Sequence, residues 1–195
     1  MKTTCMYAVL VAGLLSLTTG CSSKEEAAKP AENVLTSFVG GESSLSASVR
    51  TSGPWELGLV FSASVAGKIT QLGAKMPEPG TYRIIVWDFD TKQVIRQKTV
   101  EQTAPDKLTL DNVDPLALTP NKKYLISVNS QSGGVNKKYG VAYKTAGGDF
   151  MPFTKGSILV YNACYRNTAT PVFPDAVANV KYEAYGFPEF TFIAD

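Results

Sequence analysis

Apolar and polar residues alternate with a period of two over most of the chain. Leu57, Leu59, Phe61 and Ala63 share one face of a predicted strand, with Gly58, Val60 and Ser62 on the other. Tyr82, Ile84 and Val86 repeat the pattern, as do Tyr124, Ile126 and Val128, then Tyr139, Val141 and Tyr143. Successive side chains of a strand point to opposite faces, so this is the periodicity of β-structure. Shorter apolar runs at 69–76, 94–100, 107–110, 157–161, 180–185 and 190–193 predict further strands. Turn residues separate them: Pro77-Glu78-Pro79-Gly80, Asp90-Thr91-Lys92, Asn121-Lys122-Lys123, Ser132-Gly133-Gly134 and Gly147-Gly148-Asp149. Beyond the N-terminal segment, no stretch carries an apolar face at helical spacing for three turns. The pattern predicts an all-β fold, an antiparallel β-sandwich of jelly-roll-like form.

One motif fits that prediction at residue level. Leu118-Thr119-Pro120-Asn121-Lys122-Lys123-Tyr124 has the form of a tyrosine corner, in which the phenol bonds back to the backbone a few residues upstream. Tyr124 is therefore read as structural.

The N-terminus breaks the alternation. Met1, Lys2 and two threonines precede an apolar run of 12 residues, 6–17, and then Thr18-Thr19-Gly20-Cys21. A membrane-spanning helix needs about 20 apolar residues, so the run is too short to remain as one. A short basic start, an apolar stretch and small residues before a cysteine form a lipoprotein signal over residues 1–20. Cleavage before Cys21 leaves its sulfur and its new amine for acylation, and no cofactor is expected for the protein. The fit departs from the usual pattern in Thr18, where Leu, Val or Ile commonly stands. Ser22-Ser23-Lys24-Glu25-Glu26 resembles the lysine-plus-acidics tag that sends lipoproteins of the Bacteroides group to the outer face of the outer membrane. The same run also serves as a solvated spacer. Residues 21–33 are charged, Ala-rich and interrupted by Pro30, and read as a flexible tether. Residues 34–195 then form a single domain. The expected location is lipid-anchored at the outer membrane, on its outer surface.

Composition narrows the function classes. The chain holds 19 basic and 17 acidic residues, a net charge of +2, and the two signs are interspersed. No basic stripe for nucleic acid is present. Histidine is absent, which removes Ser-His-Asp and Cys-His nucleophile activation and histidine-based zinc sites. Of three cysteines, Cys5 falls in the signal and Cys21 is assigned to lipid, leaving Cys164 without a disulfide partner. Asp88-Phe89-Asp90 offers oxygens at a calcium-like spacing, but it joins two strand-like runs and reads better as a turn. Asp111, Asn112 and Asp114 read the same way. The expectation is a chain that is not an enzyme and holds no metal.

A series of segments carries a resemblance. Trp55-Glu56-Leu57-Gly58-Leu59-Val60-Phe61-Ser62-Ala63 is followed by Gly67-Lys68-Ile69-Thr70-Gln71-Leu72, a strand ending at Trp87, the segment 116–128, Phe173-Pro174 and Val180-Lys181-Tyr182-Glu183-Ala184-Tyr185. In this order they resemble a bacterial extracellular domain family catalogued only as a domain of unknown function. The resemblance implies a jelly-roll-like sandwich of the kind found beside immunoglobulin-like and carbohydrate-active domains, and no agreed activity. Ala74-Lys75-Met76-Pro77 departs from it, relatives tending to carry a longer aromatic and glycine-rich segment there.

Sugar recognition is the most concrete chemistry on offer. Aromatic faces stack on pyranose rings while Asp, Asn, Gln and Arg bond the hydroxyls. Tyr161, Tyr165, Arg166 and Asn167 form the densest such mixture, and Trp55 stands at the start of a strand. Two readings follow: a non-catalytic module that binds carbohydrate or a surface protein, and an accessory subunit that packs a sheet edge on a neighbour. For the second, the terminal stretch Phe187-Pro188-Glu189-Phe190-Thr191-Phe192-Ile193 is the expected edge.

Overall fold

The computed structural model describes residues 30–195. The signal segment, Cys21 and the spacer to residue 29 lie outside the described residues. The chain enters through a two-residue strand β1 (Glu32–Asn33) and the helix α1 (Val34–Gly41), followed by β2 (Leu45–Thr51). Next come β3 (Trp55–Ala63), β4 (Gly67–Ala74), β5 (Gly80–Asp88), β6 (Val94–Gln102), β7 (Thr109–Leu118) and β8 (Tyr124–Asn129). A small hairpin of β9 (Gln131–Ser132) and β10 (Val135–Asn136) leads to β11 (Lys138–Lys144), β12 (Phe153–Lys155) and β13 (Ile158–Asn167). The chain closes with β14 (Val177–Val180), β15 (Glu183–Tyr185) and β16 (Pro188–Ala194).

The strands form an all-β antiparallel sandwich. One layer is a seven-stranded sheet in the order β12-β13-β3-β8-β5-β6, with β14 sharing the outer edge of β13. The other layer holds β1-β16-β4-β7 and β15-β11-β2. Consecutive strands cross between layers at most connections, the jelly-roll-like habit expected from the sequence. The alternating residues fill the space between layers: Leu57, Leu59, Phe61, Ala63, Tyr82, Ile84, Val86, Tyr124, Ile126, Val128, Tyr139 and Val141 belong to one buried cluster.

The outward face of the large sheet is buried too. Val60, Ile85, Trp87, Leu125 and Cys164 form a second cluster capped by Phe173. The cover is the segment 168–176, which runs as a strap between β13 and β14. Phe173 sets its ring edge-on to Trp87 and Phe89, at centroid distances of 5.8 and 5.9 Å. Pro174 lies against Gly58, where an added Cβ would come within 3.1 Å of its ring. Beneath the strap, Glu56 is fully buried. Its carboxylate accepts hydrogen bonds from Ser127 Oγ at 2.6 Å, Asn129 Nδ2 at 3.0 Å and Arg83 Nη2 at 2.9 Å. The same Asn129 amide donates to the Thr168 carbonyl and Arg83 to that of Ala169.

The strap's cover makes Cys164 a buried thiol, with a pKa pushed up by that burial. The tyrosine corner forms: the Thr119 amide donates to Tyr124 Oη at 3.0 Å. A second tyrosine anchors a turn that the sequence marked only by its prolines, Tyr82 Oη donating to the Glu78 carbonyl at 2.7 Å. Burial pushes the Tyr82 phenol up to about 12.

Several sequence expectations need correction. Glu32 and Asn33, assigned to the tether, pair with Phe192 and Thr191. Helix α1 follows; at eight residues it is too short for a three-turn pattern to reveal. Its N-terminus is capped from far away by Glu189, which accepts from the amides of Val34 and Thr36 and from Thr36 Oγ1 at 2.8–3.0 Å. The terminal stretch is consequently no edge, because β16 lies between β1 and β4. Asp111, Asn112 and Asp114 are in strand β7 rather than a turn. A bulge opposite Ile69 and Gln71 absorbs the extra residues, and Gln71 Nε2 donates to Asn112 Oδ1. At the other loop Asp88 Oδ1 accepts from the amides of Asp90 and Thr91 and its carboxylate pairs with Lys122 at 2.6 Å, the bonding of a turn.

Two predictions follow from these carboxylates. Glu56→Ala removes the shared partner of a half-buried guanidinium and of two buried donors, Ser127 and Asn129, and should cost about 3–5 kcal/mol in urea denaturation; a loss under about 1 kcal/mol would contradict the network's role. The second concerns pH. Burial raises the Glu189 carboxyl above its ordinary 4.5, outweighing its hydrogen bonds to Thr36, Phe190 and Val34. The native chain thus keeps this proton where the unfolded chain has lost it, so its stabilisation is full below pH 4.5 and falls as pH rises through the native value. Asp88 has the opposite sign: Lys122 first, then the Thr91 amide, hold it at about 2 rather than 3.8, so its stabilisation exists above 3.8 and disappears as pH drops through about 2. Denaturation across pH should show Glu189→Gln flattening the first slope and Asp88→Asn the second.

Candidate functional site

Strand β13 carries four of the five residues singled out from sequence, and its geometry divides them. Tyr165 and Arg166 are adjacent, so their side chains leave opposite faces of the sheet. Tyr165 turns inward between the layers. There it meets Trp55, brought alongside by the register that sets Asn167 opposite Trp55 and Tyr165 opposite Leu57. Trp55 and Tyr185 each stand nearly perpendicular to the Tyr165 ring, at 83°, with centroids 5.5 and 5.4 Å away. Leu57, Tyr139 and Arg50 complete an open recess of about 130 Å³.

Polar groups ring this recess. Trp55 Nε1 donates to Ser52 Oγ at 2.8 Å, and Ser52 Oγ shares a hydrogen bond with Tyr139 Oη at 3.0 Å. Arg50 holds Glu183 with both terminal nitrogens, Nη1 reaching Oε2 at 3.1 Å. Tyr185 Oη donates to the same carboxylate at 2.8 Å. Its phenol is pushed up first by burial and then by Glu183, so it remains a donor. The lining thus combines one guanidinium with an indole and three phenols, and Glu183 and Ser52 bond to those lining groups from behind.

Arg166 faces the other way. Its Nε donates to the Phe173 carbonyl at 3.1 Å and its Nη2 pairs with Asp175, which Lys92 also holds at 2.6 Å. Lys92 and Arg166 keep the Asp175 carboxyl below the usual range. Arg166 therefore fastens the strap. Asn167 Nδ2 donates to the Pro54 carbonyl at 3.0 Å and supports the loop before Trp55. Tyr161 sits at the bulge between Val160 and Asn162. It shares a hydrogen bond with Ser62 Oγ, and Lys123 Nζ lies 4.7 Å from its ring centroid.

The structure brings together Trp55 and Tyr165 and sets Tyr161 and Arg166 elsewhere. Sequence reasoning missed Arg50, Ser52, Tyr139, Glu183 and Tyr185. Tyr139 and Tyr185 looked like core residues, and both are buried, yet both also line the recess. Among the described residues no group of three or more His, Cys, Asp or Glu is placed to hold a metal ion.

No curated protein matches the chain. A family profile described as a domain of unknown function, DUF4082, matches residues 42–185, a span from the turn before β2 to the end of β15 that takes in the large sheet, the second layer apart from β1 and β16, the strap and every residue of the recess. The chain belongs to this DUF4082 family of domains of unknown function.

Proposed function

We propose that the protein is a lipid-anchored, cell-surface binding module, without catalytic activity of its own, whose aromatic recess takes a carbohydrate. The observation that carries this reading is the recess itself: an indole and three phenols around about 130 Å³ with Arg50 beside them, and Glu183 and Ser52 bonded to these groups. Apolar ring faces meet the C–H faces of a pyranose, while paired charged groups and hydroxyls bond its oxygens. The volume lies below the roughly 300–1,000 Å³ of sites for drug-sized ligands, which fits one sugar unit or a chain end. The entry of the described chain also favours it. Glu32 accepts from the Ser157 amide and hydroxyl at the Ile158 end of β13, whereas the recess lies at the Asn167 end. An anchor on Cys21 would join the domain through that Ile158 end and leave the recess at the far end of the strand.

A second reading, an assembly accessory, is favoured by a different feature. Among the described residues strand β2 pairs only with β11 and ends its sheet. Its seven residues, Leu-Ser-Ala-Ser-Val-Arg-Thr, include neither Pro nor Lys, the usual guards of an open edge.

Two measurements test the proposal. On a glycan array, the full chain should bind at least one glycan saturably, with Trp55→Ala and Tyr165→Ala each weakening it about tenfold or more while retaining a cooperative melt. An array without binding, or folded variants that bind like the parent, would sink the carbohydrate reading, and strand-specific crosslinking at β2 on intact cells would then test the second. Metabolic labelling with palmitate should mark the parent and not Cys21→Ser; equal labelling of both would rule out that anchor.

A further inference from the structure

A second opening lies on the opposite face of the large sheet, under the strap. Val60, Leu125, Cys164, Phe173, Pro174 and Ala178 line a cavity of about 220 Å³. These are apolar contacts, and an apolar cavity of about 150 Å³ is already enough to hold benzene. The cavity is separate from the aromatic recess: Cys164 and Tyr165 are neighbours on β13 and point to opposite faces.

Its mouth is cationic. Lys92, which lines it with Asp175, must share that single carboxylate with Arg166. Lys123 lies 5.8 Å from the centroid of Phe89, another lining residue, and has no carboxylate partner among the described residues. The counter-charges nearby are Asp88, taken up by Lys122, and Asp90 in the exposed turn. The charge left over beside the opening is positive.

We propose that this cavity binds a small amphipathic anion, one aromatic ring or short acyl chain bearing a carboxylate. The apolar part enters between Phe173 and the sheet, and the carboxylate stays at the mouth beside Lys92 and Lys123. Burial of the apolar part supplies most of the affinity, and the charge at the mouth supplies the preference for an anion.

The test is a titration of the full chain, methyl-labelled at Val and Leu, with 4-phenylbutyrate. Val60 and Leu125 methyl resonances should shift saturably. The uncharged 4-phenylbutanol should bind about fivefold or more weakly. Lys123→Ala should reduce binding of the acid and leave that of the alcohol unchanged. Ala178→Trp, at an exposed position of β14, should block both ligands without lowering the unfolding midpoint. The proposal is overturned if both methyl groups stay unmoved at about 10 mM ligand, if acid and alcohol bind equally, or if folded Ala178→Trp binds like the parent.

Discussion

A carboxylate with no access to water, that of Glu56, is the point on which the large sheet and its cover are both hung. Taking such a charge out of water costs several kcal/mol, and only close, well-directed partners offset it. Here they come from Ser127 and Asn129 of β8 and Arg83 of β5. The central strand β3 is thereby tied to β8 beside it and to β5 one strand further on. Arg83 and Asn129 each have further donors, and these reach the Thr168 and Ala169 carbonyls at the start of the strap. The strap's path is therefore set by side chains that Glu56 holds in place. Phe173, Pro174 and Asp175 follow from that path: one seals the second cluster, one packs on Gly58, and one is clamped by Lys92 and Arg166. Arg83 Nε, buried beside these bonds, meets no acceptor among the described residues.

This dependence explains which parts of the fold were legible in the sequence. Period-two alternation identified the residues between the layers because water on one side and protein on the other impose it directly. It could not say that the other side was covered as well. Gly58, Val60 and Ser62 look like a mixed outer face, and the strap that covers Gly58 and Val60 arrives about 110 residues later in the chain. Helix α1 escaped for a similar reason. Its cap is Glu189, more than 150 residues away, so no local signal marks its start. Asp111 to Asp114 shows the reverse error. Polar residues were read as a turn, whereas the outer strand β7 is largely exposed and tolerates them.

The candidate site was legible only in part, and the limit is geometric. A cluster in sequence such as Tyr161 to Asn167 becomes a cluster in space only if the strand keeps its members on one face. Strand β13 sends Tyr165 inward and Arg166 outward, and its bulge at Tyr161 shifts the alternation again. Trp55 and Tyr165 were joined by strand register, which the sequence does not display. Arg50, Tyr139 and Tyr185 come from β2, β11 and β15, strands of the other layer. The recess thus exists because two layers meet at one end of the sandwich.

The described chain enters at the other end. Pairing of Glu32 with Phe192 and the bonds from Ser157 to the Glu32 carboxylate fix the first described strand beside the Ile158 end of β13. From Ile158 to Tyr165 the strand climbs about 23 Å at roughly 3.3 Å per residue. The recess of Trp55 and Tyr165 lies at the Asn167 end, the far end of the same strand from the point where residues 32 and 33 enter, and no residue of that entering segment lines it. The same strand thus holds the entering chain at one end and leaves the recess uncovered by it at the other.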